Sequence, residues 1–327
     1  MKRNLHRLCA ILLFVSLLSL SGCGKPQTDQ VSTAAEHLQA PVEAAPETIP
    51  TSPENTSPDG PSEAPSVQDA ASASAGFQTP CIEGPYDHEY LAEDKQIVIR
   101  RFQQSGITFF IADIQLTDPA QFQTALSEDK PFGKLEPASA MAERSQAVFA
   151  INADDYGIHK YGTIIRNGTL IRTHDTTRNM LIVDANGDFS VRVDRADENP
   201  ELLGQTLQAE GVWQTFEFGP ELIRDGQAVE FSSAFDVIST KPGRRDPRTA
   251  IGQIGPLHYV VIVADGRQNG YSKGMTLSEL QKLFILCGAH TAMNLDGGGS
   301  AEMWFDGEVI NQPSEGKERR LSDILFF

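Results

Sequence analysis

Residues 163–172 read TIIRNGTLIR, two β-branched runs joined by Asn167-Gly168. Asn-Gly tolerates positive φ at both turn positions, and a turn of that hand matches the twist of antiparallel strands, so the segment predicts a tight hairpin. MLIVDANGDFSVRV (180–193) repeats the logic, and IVIRRF (97–102) and ITFFIADIQL (107–116) flank a third turn at 103–106. AVFAIN (147–152) and LHYVVIVAD (257–265) read as buried strands, and AMNLD (292–296) and AEMWF (301–305) as strands around three glycines. Helical signals occupy 137–144 and 276–287. In the second, Thr276 and Glu279 form a capping box, Leu277, Leu280, Leu283, Phe284 and Cys287 mark one face, and Gly288 stops the helix. Many short strands with few helices predict an α+β fold, a mainly antiparallel or mixed β-sheet with a few flanking helices.

Only part of the chain of 327 residues has this patterning. Residues 1–7 are basic, 8–20 are apolar, and Leu20-Ser21-Gly22-Cys23 follows. The apolar run is shorter than the ~20 residues of a membrane-spanning helix and reads as an export signal. Leu-Ser-Gly-Cys resembles the bacterial lipobox, which implies cleavage after residue 22 and acylation of Cys23. Residues 24–79 carry eight acids, one lysine and one aromatic among Pro, Ala, Ser, Thr and Gln, too little apolar surface to fold. The expected organisation is a lipoprotein signal peptide (1–22), a lipid-anchored disordered tether (23–80) and one folded domain (81–327). A flexible tether of about 55 residues spans roughly 40 Å. The expected location is the extracytoplasmic face of a bacterial cell membrane, held by the lipid anchor alone.

The formal charge of −17 becomes −20 once Lys2, Arg3 and Arg7 leave with the signal. Such a surface repels nucleic acid and anionic lipid, so neither is an expected partner, and an anion site has to be built from local arginines. Of four cysteines, Cys81 and Cys287 fall in the folded part. Pairing is open to them; Cys287, in the apolar helical pattern LFILCG, reads as a buried free thiol.

The stretch NLDGGGSAEMW (294–304) sets three glycines between a carboxylate and a serine. No lysine follows as in a P-loop, Glu302 stands where the last glycine of a dinucleotide fingerprint belongs, and alternating acids of an EF-hand are missing. Gly270-Tyr271-Ser272-Lys273-Gly274 fits the pattern of a nucleophile elbow, but a polar loop separates it from the preceding strand, which that motif does not allow. HEXXH and CxxC are absent, and the histidines show no zinc spacing. What remains is an acid at a strand end before a bare backbone, a floor for an anionic ligand whose N–H groups can form a nest. Trp213 and Trp304 read as core aromatics.

AINADDYG (150–157), GTIIRNGTLIR (162–172), FEFGPELIRDG (216–226), RTAIGQI (248–254), YVVIVADGR (259–267), GYSKGMTLSEL (270–280), MNLDGGGSAEMWFDG (293–307) and VINQPSEGKERRLSDILFF (309–327) together resemble the phosphodiester glycosidase family. The resemblance spans about 150–327 and fades toward 95. It implies a hydrolase that releases sugar from a sugar-1-phosphodiester, such as an α-N-acetylglucosamine-1-phosphodiester, with a sugar-phosphate glycan of envelope or exopolysaccharide as substrate. Two departures stand out: Ala153, where the family often has glycine, and Ala301-Glu302, where it commonly has small hydroxyl residues. By strand alternation Glu302 shares a face with Ser300 and would set a charge beside the phosphate.

Cleaving such a bond needs cations on the phosphate and a carboxylate near the sugar carbon. The expected catalytic residues are Asp296 and Asp265, converging from two strand ends, with Arg248. The expected substrate and phosphate binders are Asn152, Arg267, Gly297, Gly298, Gly299, Ser300, Asp154 and Ser272. A hard cation, Ca²⁺ or Mg²⁺, held by aspartates and carbonyls stays open. Two other readings also stay open: a glycan-binding lipoprotein without catalysis, and a transferase acting on phosphodiester-linked polymers.

Overall fold

The computed structural model describes residues 77–193, 197, 199–231 and 241–327. The signal, Cys23 and all but the last few tether residues lie outside them.

The framework is an eight-stranded sheet in which every neighbouring pair is antiparallel. Edge to edge its strands are His88–Leu91, Lys95–Gln104, Ile107–Leu116, His258–Ala264, Arg248–Gly255, Thr291–Asn294, Glu221–Arg224 and Gln227–Ala228. Both faces are covered, which explains why Ile107–Leu116 is buried at all ten positions rather than alternately. Strand alternation divides its side chains: Phe110, Ala112, Ile114 and Leu116 enter one core, and Ile107, Phe109 and Ile111 the other. Tyr259, Val261 and Val263 divide from Val260, Ile262 and Ala264 in the same way.

The second of these cores lies under helix α3, Leu277–Leu286. Its capping box forms as the sequence predicts, and Leu277, Leu280, Phe284 and the C-cap Cys287 are buried against the sheet. On the opposite face pack a five-stranded antiparallel sheet (Glu308–Val309, Met303–Phe305, Phe149–Asn152, Asp323–Phe326, Gln123–Leu126) and a three-stranded one (Phe189–Arg192, Asn179–Val183, Gln214–Phe218). These carry helices on their outer sides, α1 (Ala138–Arg144) through Met141 and Ala142, and α2 (Pro200–Ala209) through Leu203 and Leu207. The fold is thus α+β and mainly antiparallel.

The 163–172 hairpin turns on Asn167 (φ 47°) and Gly168 (φ 74°), both left-handed as a two-residue turn of this kind requires. Helix α2 gives a weaker signal, because only Leu203, Leu207 and an Asn199-Pro200 start mark it. The expected strand at 301–305 is shorter, Met303–Phe305, because Gly298–Ser300 forms a 3-10 turn before it. Trp304 is buried in the core beneath α1, and the Trp213 indole N–H donates to the Phe122 carbonyl at 2.6 Å.

Candidate active site

Sheet register explains where chemistry gathers. Arg248 opens its strand opposite Ala264, which ends the next strand, and Ala250 pairs with Asn294, which ends a third. One end of the sheet therefore presents Arg248 together with the segments Asp265-Gly266-Arg267 and Leu295-Asp296-Gly297. The turn is fixed there by Leu295 N–H to the Thr249 carbonyl (2.8 Å) and Gly298 N–H to the Pro247 carbonyl (2.9 Å).

A pocket of about 160 Å³ opens at this end, lined by Phe218, Asp246, Arg248, Arg267, Asp296, Gly297, Gly298, Gly299 and Arg319. Three arginines face a single turn. Each glycine there has its own reason to lack a side chain. A Cβ on Gly297 would lie 2.7 Å from the Pro247 carbonyl oxygen. Gly298 has φ of 63°, with the Arg267 guanidinium only 3.0 Å from where its Cβ would be. At Gly299 a Cβ would overlap the Arg319 guanidinium. The backbone is bare so that two arginines can lie against it.

The expected N–H nest is not what makes this floor attractive to anions. Gly297 N–H donates to Asp296 Oδ1 (2.8 Å), Gly298 N–H to Pro247, and Ser300 N–H to Gly297 (3.1 Å). Positive charge comes instead from the arginines; Asp246, buried among them, arranges Arg248 and Arg267, while Arg319 pairs with Glu315. The Asp246 carboxylate accepts from Arg267 Nε at 3.0 Å, forms an ion pair with Arg244 Nε at 2.7 Å, and lies 4.0 Å from the Arg248 guanidinium. Arg248 also donates to the carbonyls of Met275 and Arg244. Burial pulls its pKa down to about 10, opposed by Asp246, and it stays charged at neutral pH. Arg267 and Arg319 keep 42% and 37% of their side-chain surface exposed, so they are the arms able to move onto a ligand.

Asp296 is set deep but keeps part of its surface open to the pocket. Burial pushes its pKa up to about 6; the Ser300 hydroxyl and the Gly297 N–H hold it down, and nearby Asp155 adds to the rise. A carboxyl titrating there changes protonation close to neutral pH, the range in which proton transfer is most effective.

Of the remaining expected site residues, Asn152 and Ser300 support this floor from behind, whereas Asp154 and Ser272 are committed to other partners and do not line the pocket. Asn152 Nδ2 donates to the Asp296 carbonyl (2.6 Å), while its Oδ1 accepts from Thr249 and from Glu302 N–H, so it ties the turn to two strands. Asp154 is buried in an ion pair with Arg166 (2.8 Å) and accepts from Tyr156 and Glu217 N–H. Ser272 donates to the Asp265 carbonyl (2.6 Å) and accepts from Thr108 N–H, which occupies its hydroxyl and removes it as a nucleophile. Ser300 is buried beside Asp296.

Asp265 departs from expectation. It does not converge with Asp296: its carboxylate is buried among Tyr271 Oη (2.8 Å), Asn311 Nδ2 (2.9 Å) and Gln312 N–H (3.1 Å). Burial raises its pKa against those donors. An acid at a strand end before glycine can serve chemistry or brace loops, and here the bracing of two loops wins. Glu302 also departs, because the 3-10 turn breaks the alternation that would have placed it with Ser300. It is buried against Glu318, and burial with that neighbour pushes its pKa up to about 9, so it adds no charge at neutral pH. Burial favours a neutral Glu318 too, but its pKa is lowered, with the Ser139 N–H and hydroxyl both donating to its carboxylate.

Three residues of the pocket, Asp246, Arg319 and Phe218, are not among the site residues expected from the sequence, although Phe218 and Arg319 lie in segments that carry the family resemblance. Arg319 sits in the polar run SEGKERR, which reads as a solvated loop, and Asp246 in KPGRRDP, where the neighbouring arginines dominate the pattern. No group of three or more His, Cys, Asp or Glu among the described residues is placed to hold a metal ion.

The family profile described as phosphodiester glycosidase matches residues 145–327, more than half of the chain. The chain belongs to the phosphodiester glycosidase family. Among solved structures of similar fold is the zebrafish N-acetylglucosamine-1-phosphodiester alpha-N-acetylglucosaminidase catalytic domain auto-inhibited by its pro-peptide. That match has a TM-score of 0.53 and 19% identity, covering 71% of this chain and 82% of that one. A hypothetical protein from Synechocystis aligns with a TM-score of 0.51 and 15% identity over 72% of this chain and 62% of its own. In sequence, an SPbeta prophage-derived uncharacterized protein, YomE, of Bacillus subtilis (strain 168) is 30% identical over 194 residues. That is 58% of this chain and only 29% of the relative, so the chain spans under a third of its length. All the pocket's residues fall inside the span the family profile matches.

The supports of the site can be tested through stability. Gly297→Ala drives a methyl against the Pro247 carbonyl oxygen, backbone that has to move, and should cost about 1–3 kcal/mol in urea unfolding. Glu302→Gln tests the buried carboxyl. A carboxyl whose pKa is raised in the folded state loses stability as pH rises from its unfolded value, near 4.5, to its folded one, about 9. Wild type should therefore lose more thermal stability between pH 5 and pH 9 than Glu302→Gln; parallel losses would contradict a protonated Glu302.

Proposed function

We propose that the chain is a hydrolase of sugar-1-phosphodiesters, exported and membrane-anchored, acting on phosphodiester-linked glycans of the envelope or exopolysaccharide. The observation that carries this is the facing of one carboxylate, Asp296, by Arg248, Arg267 and Arg319 in a single pocket of an otherwise strongly acidic chain. Arginine holds phosphate oxygens bidentately. A phosphomonoester leaving group is acidic enough, with a second pKa near 6, to depart without a proton when cations receive it. The usual second carboxylic acid of a glycosidase is then unnecessary, which fits Asp246 being committed to the arginines. Asp296 takes a proton from water as the water oxygen bonds to the sugar carbon. The carbon–oxygen bond to phosphate breaks with its electrons on the phosphate oxygen, and the phosphomonoester leaves against the arginines.

The pocket takes the phosphate and the reacting end of one sugar, so the rest of a substrate extends outward. Next to the Phe218 wall, the Arg178 guanidinium lies 5.2 Å from the Phe218 ring and 5.7 Å from Tyr161, an exposed ring stacked with His159. The exposed part of Tyr161 and the Arg178 guanidinium beside it offer apolar and polar contacts to a sugar extending outward. The test is incubation of the full chain with an α-N-acetylglucosamine-1-phosphodiester bearing a chromogenic aglycone, with and without chelator and with and without an acceptor sugar. Release of free sugar that needs no acceptor supports the hydrolase. Product formed only with acceptor supports the transferase, and binding without turnover the glycan-binding reading.

A further inference from the structure

The folded part of the chain has two cysteines more than two hundred residues apart, Cys81 and Cys287, and the fold brings them together. Cys81 lies in the segment through which the tether enters the domain. That segment is pinned to the sheet: Gln78 exchanges hydrogen bonds with the Gln115 side chain, and Cys81 N–H donates to Asp113 Oδ2 at 2.7 Å. Asp113 is itself held by His258 Nε2 at 2.9 Å. Cys287 ends α3 on the same face of the eight-stranded sheet, with its N–H bonded to the Leu283 carbonyl (3.0 Å) and Gly288 closing the helix at φ 75°. The two side chains wall the same crevice with Ile82, Phe109 and Leu283 and pack into the same core beneath α3. Both are free thiols in this structure.

Chance alone would rarely bring two cysteines into one crevice in a chain so poor in cysteine, and these two meet only because the whole domain has folded. We propose that Cys81 and Cys287 form an intramolecular disulfide that clamps the domain's entry segment onto α3. The proposal draws on the export reading for an oxidising surrounding. The oxidant is a disulfide-bearing molecule. One cysteine, as thiolate, attacks it to give a mixed disulfide, and the other displaces the oxidant's remaining sulfur, so two protons and two electrons leave the chain and the oxidant departs as thiols. The contact with Cys287, burial and the nearby Asp113 carboxylate all push the Cys81 thiol far above its ordinary range. Such a thiol is unlike the low-pKa cysteines of redox catalysts, which fits a structural bond and not a catalytic one. It closes a loop containing nearly the whole domain, where a crosslink restricts the unfolded chain most. Tension on a membrane tether would then reach α3 through a covalent bond instead of peeling the entry segment from the sheet.

The experiment incubates the full chain with oxidised glutathione, denatures it without reductant, blocks free thiols with N-ethylmaleimide and maps the peptides by mass. The expected result is one linked pair containing Cys81 and Cys287, two hydrogens lighter than the sum of its parts and free of maleimide. The oxidised protein should melt roughly 5–10 °C above the same protein after dithiothreitol. Cys81→Ser and Cys287→Ser should melt at the reduced value under either condition. Blocked Cys81 and Cys287 thiols, glutathione adducts alone, linkage of Cys81 to Cys9 or Cys23, or a melting point insensitive to the bond would each overturn the proposal. Oxidation in vitro reads the geometry whatever compartment the chain occupies.

Discussion

Asp296→Asn should abolish hydrolysis of a sugar-1-phosphodiester, lowering kcat at least ~10³-fold while the variant still folds and still binds substrate. The size follows from the geometry. Asp296 is the carboxylate of the pocket that is not spent on arginines, whereas Asp246 holds Arg267 and Arg244. Asparagine keeps the shape and the contact with Gly297 N–H, so the loss reports chemistry rather than collapse. The pH profile gives the sign independently. A carboxylate that accepts a proton works only when ionised, so kcat/KM should fall as pH drops through about 6, to which burial has raised this group. Growing activity on acidification would assign Asp296 the opposite role.

Arg267→Ala and Arg319→Ala should act on binding of the phosphate. Each guanidinium removed takes away charge-assisted hydrogen bonds worth ~1.5–3 kcal/mol apiece, which predicts a fall of roughly 10–100-fold in kcat/KM. The two lie over neighbouring glycines, Gly298 and Gly299, so they contact one ligand and their effects should not add. Lysine should rescue poorly at either place, because a point charge cannot replace the planar fork. Inorganic phosphate should inhibit wild type competitively and each variant more weakly. Equal inhibition of all three would place the phosphate elsewhere.

How legible this site is in the sequence depends on what each residue does. Asp296, Arg248 and Arg267 stand at ends of apolar strands, and an antiparallel sheet gathers such ends, so strand boundaries alone point to them. The same reasoning misplaces Asp265, because a strand end sets the position of a residue and not the direction of its carboxylate; partners more than forty residues later, Asn311 and Gln312, decide that. Asn152 is legible as near the site, but its side chain supports the turn from behind. Arg319 and Asp246 sit in charged loops whose composition resembles any solvated surface, and only tertiary packing against Gly299 and among the arginines distinguishes them. For the fold, Asn-Gly and Ser-Gly turns and one well-capped helix carry local signals strong enough to read. The assembly of the three largest sheets around the two main cores does not, since strand order is set by contacts distant in sequence.

The chemistry assigned to this pocket turns on one bond, that between a sugar carbon and a phosphate oxygen. Its breaking can be followed by hydrolysis of an α-N-acetylglucosamine-1-phosphodiester by the full chain in ¹⁸O-water, with mass analysis of both products. The expected result is ¹⁸O in the released sugar and an unlabelled phosphomonoester. Label in the phosphate, or intact substrate bound without turnover, would contradict it.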